Sequence, residues 1–428
     1  MAESDHRPAT SLLTDRYELT MLDAALASGR AGDRAVFELF TRSLPPRRGY
    51  GVVAGTARAI DAVARFRFGA DELAWLQANG VVSDRAIDFL GGYHFSGHVW
   101  GYAEGDLYQA DSPVLTVEAP FGEAVVLETV LLSIFNHDSA VASAVARMVD
   151  AADGRPLIEG GARRAHESAA IAAARAAYLA GATATSNLEA GRTWGIPTVG
   201  TIGHAFVLAH ADERTAFEAQ FELLGADTTF LVDTYDIEGG IRSAVDVAGT
   251  GLGAIRIDSG DLAVEAKRAR ALLDRLGADR TRIIVSGDLD EWSMQALRDA
   301  PIDGYLVGTN LITGSGHPTA SMVYKLVAID DGGALRSVNK RSSGKGTTGG
   351  RKAAFREDGC EVLVVDNERP PTDVTGSGRG LQVSLIEDGH LRPLPGLEES
   401  RDQTRRAIDE LPASARAIDG IPPRTVVG

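Results

Sequence analysis

Between residues 157 and 316 the chain repeats one pattern: a short apolar run, an exit into Gly, Ser, Thr or Asp, then helical periodicity. The clearest copy is AIRIDSGDL, Ala254 to Leu262, where Ala254, Ile255 and Ile257 are interleaved with Arg256 and Asp258. That alternation predicts a strand whose last residues leave a sheet through a tight turn at Gly260. RIIVSGDLDEW, ending at Trp292, and DGYLVGTNLITGSG, ending at Gly316, repeat it. LIEGGARRAH, GIPTVGTIGHAF and TTFLVDTYDIEGG read as further strands with polar exits. Strands that open in series into polar residues predict a β/α barrel. In such barrels the chemistry sits on the loops at the strand C-termini, and phosphate commonly binds after the last two strands.

The flanks follow other periods. Asp15 followed by Glu18 predicts a capping box, and Leu19, Leu22, Ala25 and Leu26 mark one face of a helix that ends at Gly29. Ala35 to Arg42 alternates as a strand, and Phe95 to Pro120 reads as a β-rich layer. Phe121 to Asp150 has helical spacing at Val125, Leu127, Leu131, Leu132 and Phe135. Past Lys325 the pattern becomes antiparallel strands around the basic, Gly-rich SSGKGTTGG loop, which is not a Walker A motif because Gly346 follows Lys345. Thr404 to Leu411 is helical in pattern, Pro412 opens a second short helix, and the tail after Gly420 is expected to be loose. The fold class expected is α/β: an irregular β/α barrel plus a smaller α+β domain. The boundaries expected are 1–125 for the N-terminal domain, 126–334 for the barrel and 335–428 for a C-terminal segment packing with the N-terminal domain.

Bulk properties narrow the function. At 428 residues the chain is too long for one ordinary core. A net charge of −16 argues against a nucleic-acid surface, which needs clustered Lys and Arg. It leaves room for a small anionic ligand held by a few local arginines. The single cysteine, Cys360, supplies neither a disulfide framework nor a multi-cysteine zinc site. It is compatible with a reducing cytoplasm, and cytoplasmic is the location expected. MAESDHRPAT has no apolar run of a secretory signal, and no stretch reaches the length of a membrane span.

Candidate chemistry sits at the predicted exits. Arg163 and Arg164 stand where a glycine turn meets a helix N-terminus, an end whose dipole disfavours cations. A bound anion accounts for them, and the alternative is an exposed, salt-bridged pair. Thr185, Ser186 and Asn187 form another polar exit. His204 follows Gly200-Thr201, a Gly-Thr exit repeated at Gly308-Thr309. A neutral imidazole there can carry a phosphoryl group, whereas His210 reads as structural. Asp233 and Asp258 occupy matching places, so a shared ligand or Mg²⁺ fits them, and Asp236 reads as a helix cap. Ser286, Gly287, Asp288 and Asp290 repeat the theme. Tyr17, in the first turn of the N-terminal helix, either points away from its own core or serves as a hydrophobic staple.

With these pieces in order, the chain resembles the nicotinate phosphoribosyltransferase family. The likeness rests on TDRYELTM, FELFTRSLPP, EGDLYQADSPVLTVEAP, GARRAH, TSN, GIPTVGTIGHAF, VDTYDIEGG, RIDSGDL, SGDLDE and GTNLITG, and more loosely on KRSSGKGTTGGRK. The resemblance implies a type II phosphoribosyltransferase barrel that makes nicotinate mononucleotide from nicotinate and phosphoribosyl pyrophosphate, with ATP as co-substrate and Mg²⁺. It implies that His204 is phosphorylated by ATP. It implies that Tyr17 stacks on the pyridine ring across a homodimer interface. Arg163, Thr201 and Arg256 would surround nicotinate and the phosphoribosyl group, and Asp233 and Asp258 the ribose and Mg²⁺-pyrophosphate. Ser286, Gly287, Asp288, Gly308 and Thr309 would cradle the 5′-phosphate.

Relatives that use nicotinamide resemble the chain at the same loops but carry an aspartate near Ser186, so Ser186 beside Arg256 points to nicotinate. The alternatives are a nicotinamide- or quinolinate-using enzyme of the same barrel type, or a non-catalytic sensor of phosphorylated ligands. Quinolinate should need a denser basic pocket, and a sensor would fit a chain lacking His204 or Asp258. Two departures stand out. Gly160 occupies the place where many relatives have Phe, and Gly349-Gly350 replaces a Pro-Gly pair.

Overall fold

The computed structural model describes residues 8–340, 348–423 and 425–427. The first part of the Gly-rich loop, including Lys345 and Gly346, lies outside them. The chain divides into two compact units, one made of 1–140 with 319–428 and the other of 141–318.

The second unit is built on six parallel strands. In chain order its elements are β1 (Leu157–Glu159), α1 (Glu167–Leu179), β2 (Ala184–Thr185), α2 (Leu188–Trp194), α3 (His204–Leu208), α4 (Glu213–Leu224), β3 (Thr229–Leu231), α5 (Ile237–Ala248), β4 (Ala254–Ile257), α6 (Leu262–Arg275), β5 (Arg282–Gly287), α7 (Glu291–Ala296), β6 (Gly304–Val307) and α8 (Thr309–Ile312). The sheet order is β2-β1-β6-β5-β4-β3, every pair parallel. Among the described residues β2 and β3 are not paired, so the sheet closes only part of a barrel. The strands are short because their apolar runs are short; Phe230, Ile255, Ile257, Ile283, Val285, Tyr305 and Val307 are all buried. Burial on both faces of a parallel sheet is why these runs read as nearly continuous apolar segments.

One expected strand is missing. GIPTVG contributes a single bridge, Thr198 to Thr185, rather than a ladder. Pro197 lacks the N–H a ladder needs, and the segment turns into the loop before α3.

Short polar side chains start five helices of this unit. Asn187, Asp212, Asp236, Asp261 and Asp290 accept hydrogen bonds from Ala190, Thr215, Gly239, Val264 and Ser293 N–H groups respectively. These caps hold otherwise unpaired helix-terminal donors. They also sort the many carboxylates of the strand exits into those that fold the chain and those left for chemistry.

The first unit carries a seven-stranded sheet in the order 334–337, 322–331, 34–41, 115–120, 98–102, 382–387, 390–391. Met322–Asp331 pairs antiparallel along Arg34–Thr41, so the chain leaves the parallel sheet before residue 319 rather than after the expected 334. The expected single helix from Phe121 is two, Phe121–Val125 and Glu128–Ala152. The α+β unit is also the larger of the two, not the smaller. Two of its buried cations are paired with carboxylates: Lys352 Nζ lies 2.6 Å from Glu38 Oε2, and Arg351 pairs with Glu118. Part of the basic loop region is thus internal structure, not an anion site.

The capping box at the N-terminus does not form. Asp15 makes no side-chain cap, and Glu18 instead accepts from Thr14 and from Thr129. The helix is Arg16–Ser28 with Gly29 at φ 77°, the left-handed stop expected there. The tail is not loose throughout: Thr425–Val427 pairs in parallel with Glu361–Leu363. Leu397–Asp409 and Ala413–Arg416 are the C-terminal helices. No helix of the described residues is long and apolar enough to cross a membrane.

Candidate active site at the strand exits

The polar exits of the parallel sheet meet around one carboxylate. Asp233, just past β3, has a side chain 1% exposed. Its Oδ1 lies 3.3 Å from His204 Nε2 at the start of α3. Its Oδ2 accepts from the Asp258 N–H at 2.9 Å and from the Ser259 hydroxyl at 2.7 Å. His204 itself is 40% exposed, so its side chain is partly accessible from outside. His210 bonds Phe206 O through Nδ1 and packs on the Phe206 ring, a structural role as expected.

A second chain of contacts runs beside the first. Arg256 donates from Nη1 to Thr201 Oγ1 at 3.0 Å, and its Nη2 stands 3.9 Å from Asp258 Oδ1. Arg256 Nε is buried without a hydrogen-bond partner. Asp258 Oδ1 also accepts from Ser286 Oγ. Gly287, at φ 131°, adopts backbone that a side chain would strain, and it passes close to the Asp258 carbonyl. The structure therefore joins Thr201, His204, Asp233, Arg256, Asp258 and Ser286 into one connected patch.

The remaining barrel residues sit on neighbouring loops. Asp288 is exposed after β5, and its carbonyl accepts from Asn310 Nδ2 in α8. Gly308 and Thr309 lead from β6 into α8. Arg163 and Arg164 lie in a 3₁₀ turn, Ala162–Arg164, ahead of α1 rather than in its first turn. Ser186 is exposed at the β2 exit. At Gly160 a Cβ would stand 2.8 Å from Leu306 Cδ2, so Leu306 occupies the space a larger residue would take. Tyr17 belongs to the other unit, where its ring is 46% exposed. Burial, and then Glu128, push its phenol well above the usual tyrosine range.

The donor set bears on Mg²⁺. Among the described residues no group of three or more His, Cys, Asp or Glu side chains could hold a metal ion. Asp233 is buried with both oxygens engaged by protein groups. Asp258 is 31% exposed and keeps one oxygen outside these contacts. One open carboxylate suits an ion that arrives on a polyphosphate and needs few protein ligands.

Two glutamates that sequence reasoning passed over frame this site. Glu213, at the start of α4, is 9% exposed with Oε1 buried and unpartnered. Burial first, then the charges of Asp236 and Asp233, push its carboxyl up to about 7. Glu159, at the end of β1, is 1% exposed and also raised by burial. Neither carries a sequence signal, since a helix-start glutamate and a strand-end glutamate are ordinarily solvated.

Comparison with known proteins decides the family. The chain is 51% identical to the nicotinate phosphoribosyltransferase pncB1 of Mycobacterium tuberculosis over 441 aligned residues, covering 99% of this chain and 97% of that one. The chain belongs to the nicotinate phosphoribosyltransferase family. The family model described as nicotinate phosphoribosyltransferase (NAPRTase) N-terminal domain matches residues 12–136. The nicotinate phosphoribosyltransferase of Bacillus subtilis is 41% identical across 81% of this chain and 73% of its own. Human nicotinic acid phosphoribosyltransferase superposes with a TM-score of 0.81 at 25% identity, covering 97% of each chain. The family fold accounts for both the partly closed parallel sheet and the α+β unit.

Proposed function

We propose that this chain joins nicotinate to phosphoribosyl pyrophosphate, giving nicotinate mononucleotide and pyrophosphate for NAD salvage, and that it couples this to ATP through His204. Family membership along nearly the whole chain carries the reading. The geometry agrees at one point in particular, the partly exposed imidazole held against buried Asp233 at the strand exits.

In this reading the pyridine nitrogen forms the bond to the ribose anomeric carbon as the bond to pyrophosphate breaks. Positive charge developing on the ribose is stabilised by the carboxylate of Asp258. Arg256, with Nη1 on Thr201 and Nε unpaired, faces the substrate anions. Arg163 and Ser186 hold the nicotinate carboxylate. The Ser286–Asp288 and Gly308–Thr309 loops receive the 5′-phosphate. Mg²⁺ carried by the pyrophosphate would take the open oxygen of Asp258 and supply charge neutralisation there.

A proton on His204 Nε2 shared with Asp233 leaves Nδ1 with a lone pair. That nitrogen accepts the γ-phosphoryl group of ATP, ADP leaves, and water later releases phosphate. Tyr17 of a second subunit covers the pyridine ring in a homodimer.

The test is nicotinate mononucleotide formation with and without Mg-ATP, for wild type and His204→Ala. ATP should stimulate the wild type and not the variant. A wild type that ignores nicotinate but turns over nicotinamide or quinolinate would sink the substrate assignment. Stimulation surviving in His204→Ala would sink the phosphohistidine.

A further inference from the structure

Glu159 has no place in the chemistry above, yet its side chain links two of the loops that do. Gly161 N–H, opening the turn that carries Arg163, donates to one carboxylate oxygen. Thr185 Oγ1 donates to the other at 2.5 Å. Thr185 Oγ1 in turn accepts the Asn187 N–H at 3.0 Å, and Glu159 O accepts the Ser186 N–H at 2.8 Å. Asn187 then caps α2. One buried residue therefore fixes both the Arg163 turn and the Ser186 exit.

We propose that Glu159 is a positioning residue that locks these two loops together and so sets how tightly the nicotinate carboxylate is held. This rests on the reading that Arg163 and Ser186 face nicotinate. Packing alone does not account for a carboxylate here. The group is 1% exposed, burial raises its pKa, and it accepts from a hydroxyl and a backbone amide rather than from a cation. An isolated buried carboxyl costs stability that an apolar residue would not. What it supplies is two acceptor oxygens pointing at two different loops.

The experiment compares wild type, Glu159→Ala, Glu159→Gln and Thr185→Val, measuring KM for nicotinate and for phosphoribosyl pyrophosphate separately, with kcat and the melting temperature. Alanine strands the Gly161 and Thr185 donors and should raise KM for nicotinate about tenfold or more, the scale of an unmade buried hydrogen bond. KM for phosphoribosyl pyrophosphate should move less than about threefold, because those loops hold only the base. Glutamine keeps its amide oxygen as an acceptor for the Gly161 N–H and can donate from its amide nitrogen to Thr185 Oγ1, so both ties survive and most of the nicotinate affinity should be recovered. Thr185→Val removes one tie with little change of shape and should reproduce the alanine pattern if Glu159→Ala fails to fold. Parallel changes in both KM values, or a fall in kcat and melting temperature alone, would overturn the proposal and leave the assigned reaction standing. A wild type inert toward nicotinate would overturn both.

Discussion

Asp233 serves two masters: its Oδ1 faces His204 Nε2 at 3.3 Å, while its Oδ2 takes both the Asp258 N–H and the Ser259 hydroxyl. The side chain that orients the imidazole thus also fixes the loop carrying Asp258. A change at the histidine can therefore reach the Asp258 loop through one buried group.

Asp233→Asn tests that link. The amide is the same size but has one acceptor atom, so either His204 or the Asp258 N–H must face an N–H group. The part of the rate that depends on ATP should fall at least about tenfold, as when a buried aspartate no longer fixes the tautomer of a catalytic histidine. The rate without ATP should fall less. Initial rates with and without Mg-ATP decide it, and undiminished stimulation would rule the link out.

Glu213 makes stability depend on pH. In the folded chain its carboxyl ionises near 7 instead of the ordinary 4.5, held protonated first by burial and then by Asp236 and Asp233. Below the unfolded value both states carry the proton and nothing is lost. From there up to about 7 the unfolded chain has released a proton the folded chain still holds, so stability falls as pH rises. Glu213→Gln should therefore stabilise the protein at pH 8 by on the order of 1–2 kcal/mol, allowing for solvent screening, and give no gain at pH 4. Urea unfolding at both pH values measures it, and a gain of the same size at both would contradict the assignment.

These residues mark the limit of what could be read from the sequence. The strand exits were legible because buried parallel strands are short apolar runs, and each run ended where a small polar residue had to turn the chain. That placed His204, Asp233, Arg256, Asp258 and Ser286 together. Glu159 and Glu213 were not legible, because their burial is decided by distant packing. Glu18 escaped for the same reason: Thr129, far along the chain, captures the carboxylate that local spacing gives to a capping box. Asp290, which repeats the theme of the polar exits, is a helix cap. Local sequence offers an aspartate both roles, and only the following helix start decides.

The α+β unit depends on buried charge. Lys352 and Glu38 are 2.6 Å apart with side chains 4% and 1% exposed. Lys352→Met leaves Glu38 unpaired inside the sheet and should cost about 3–5 kcal/mol. Adding Glu38→Gln removes the stranded charge and should recover part of the loss. Denaturant midpoints for the two variants give the comparison, and a double variant no more stable than Lys352→Met would refute the pairing as the cause.

A substitution at Ser186 tests the proposed substrate choice. Its N–H is held by Glu159 O at 2.8 Å and its side chain is exposed at the β2 exit, so a substitution alters the side chain without moving the loop. Ser186→Asp places a negative charge where the nicotinate carboxylate is proposed to lie. At a few ångströms in a partly solvated site such repulsion is worth about 1–3 kcal/mol, which is roughly a 5- to 150-fold loss in kcat/KM for nicotinate. Nicotinamide carries no charge and can donate its amide hydrogen to the new carboxylate, so its kcat/KM should hold or rise. The ratio of the two substrates is the quantity to measure. If it stays at the wild-type value, the carboxylate lies elsewhere, and Arg163 and Ser186 do not form the base pocket.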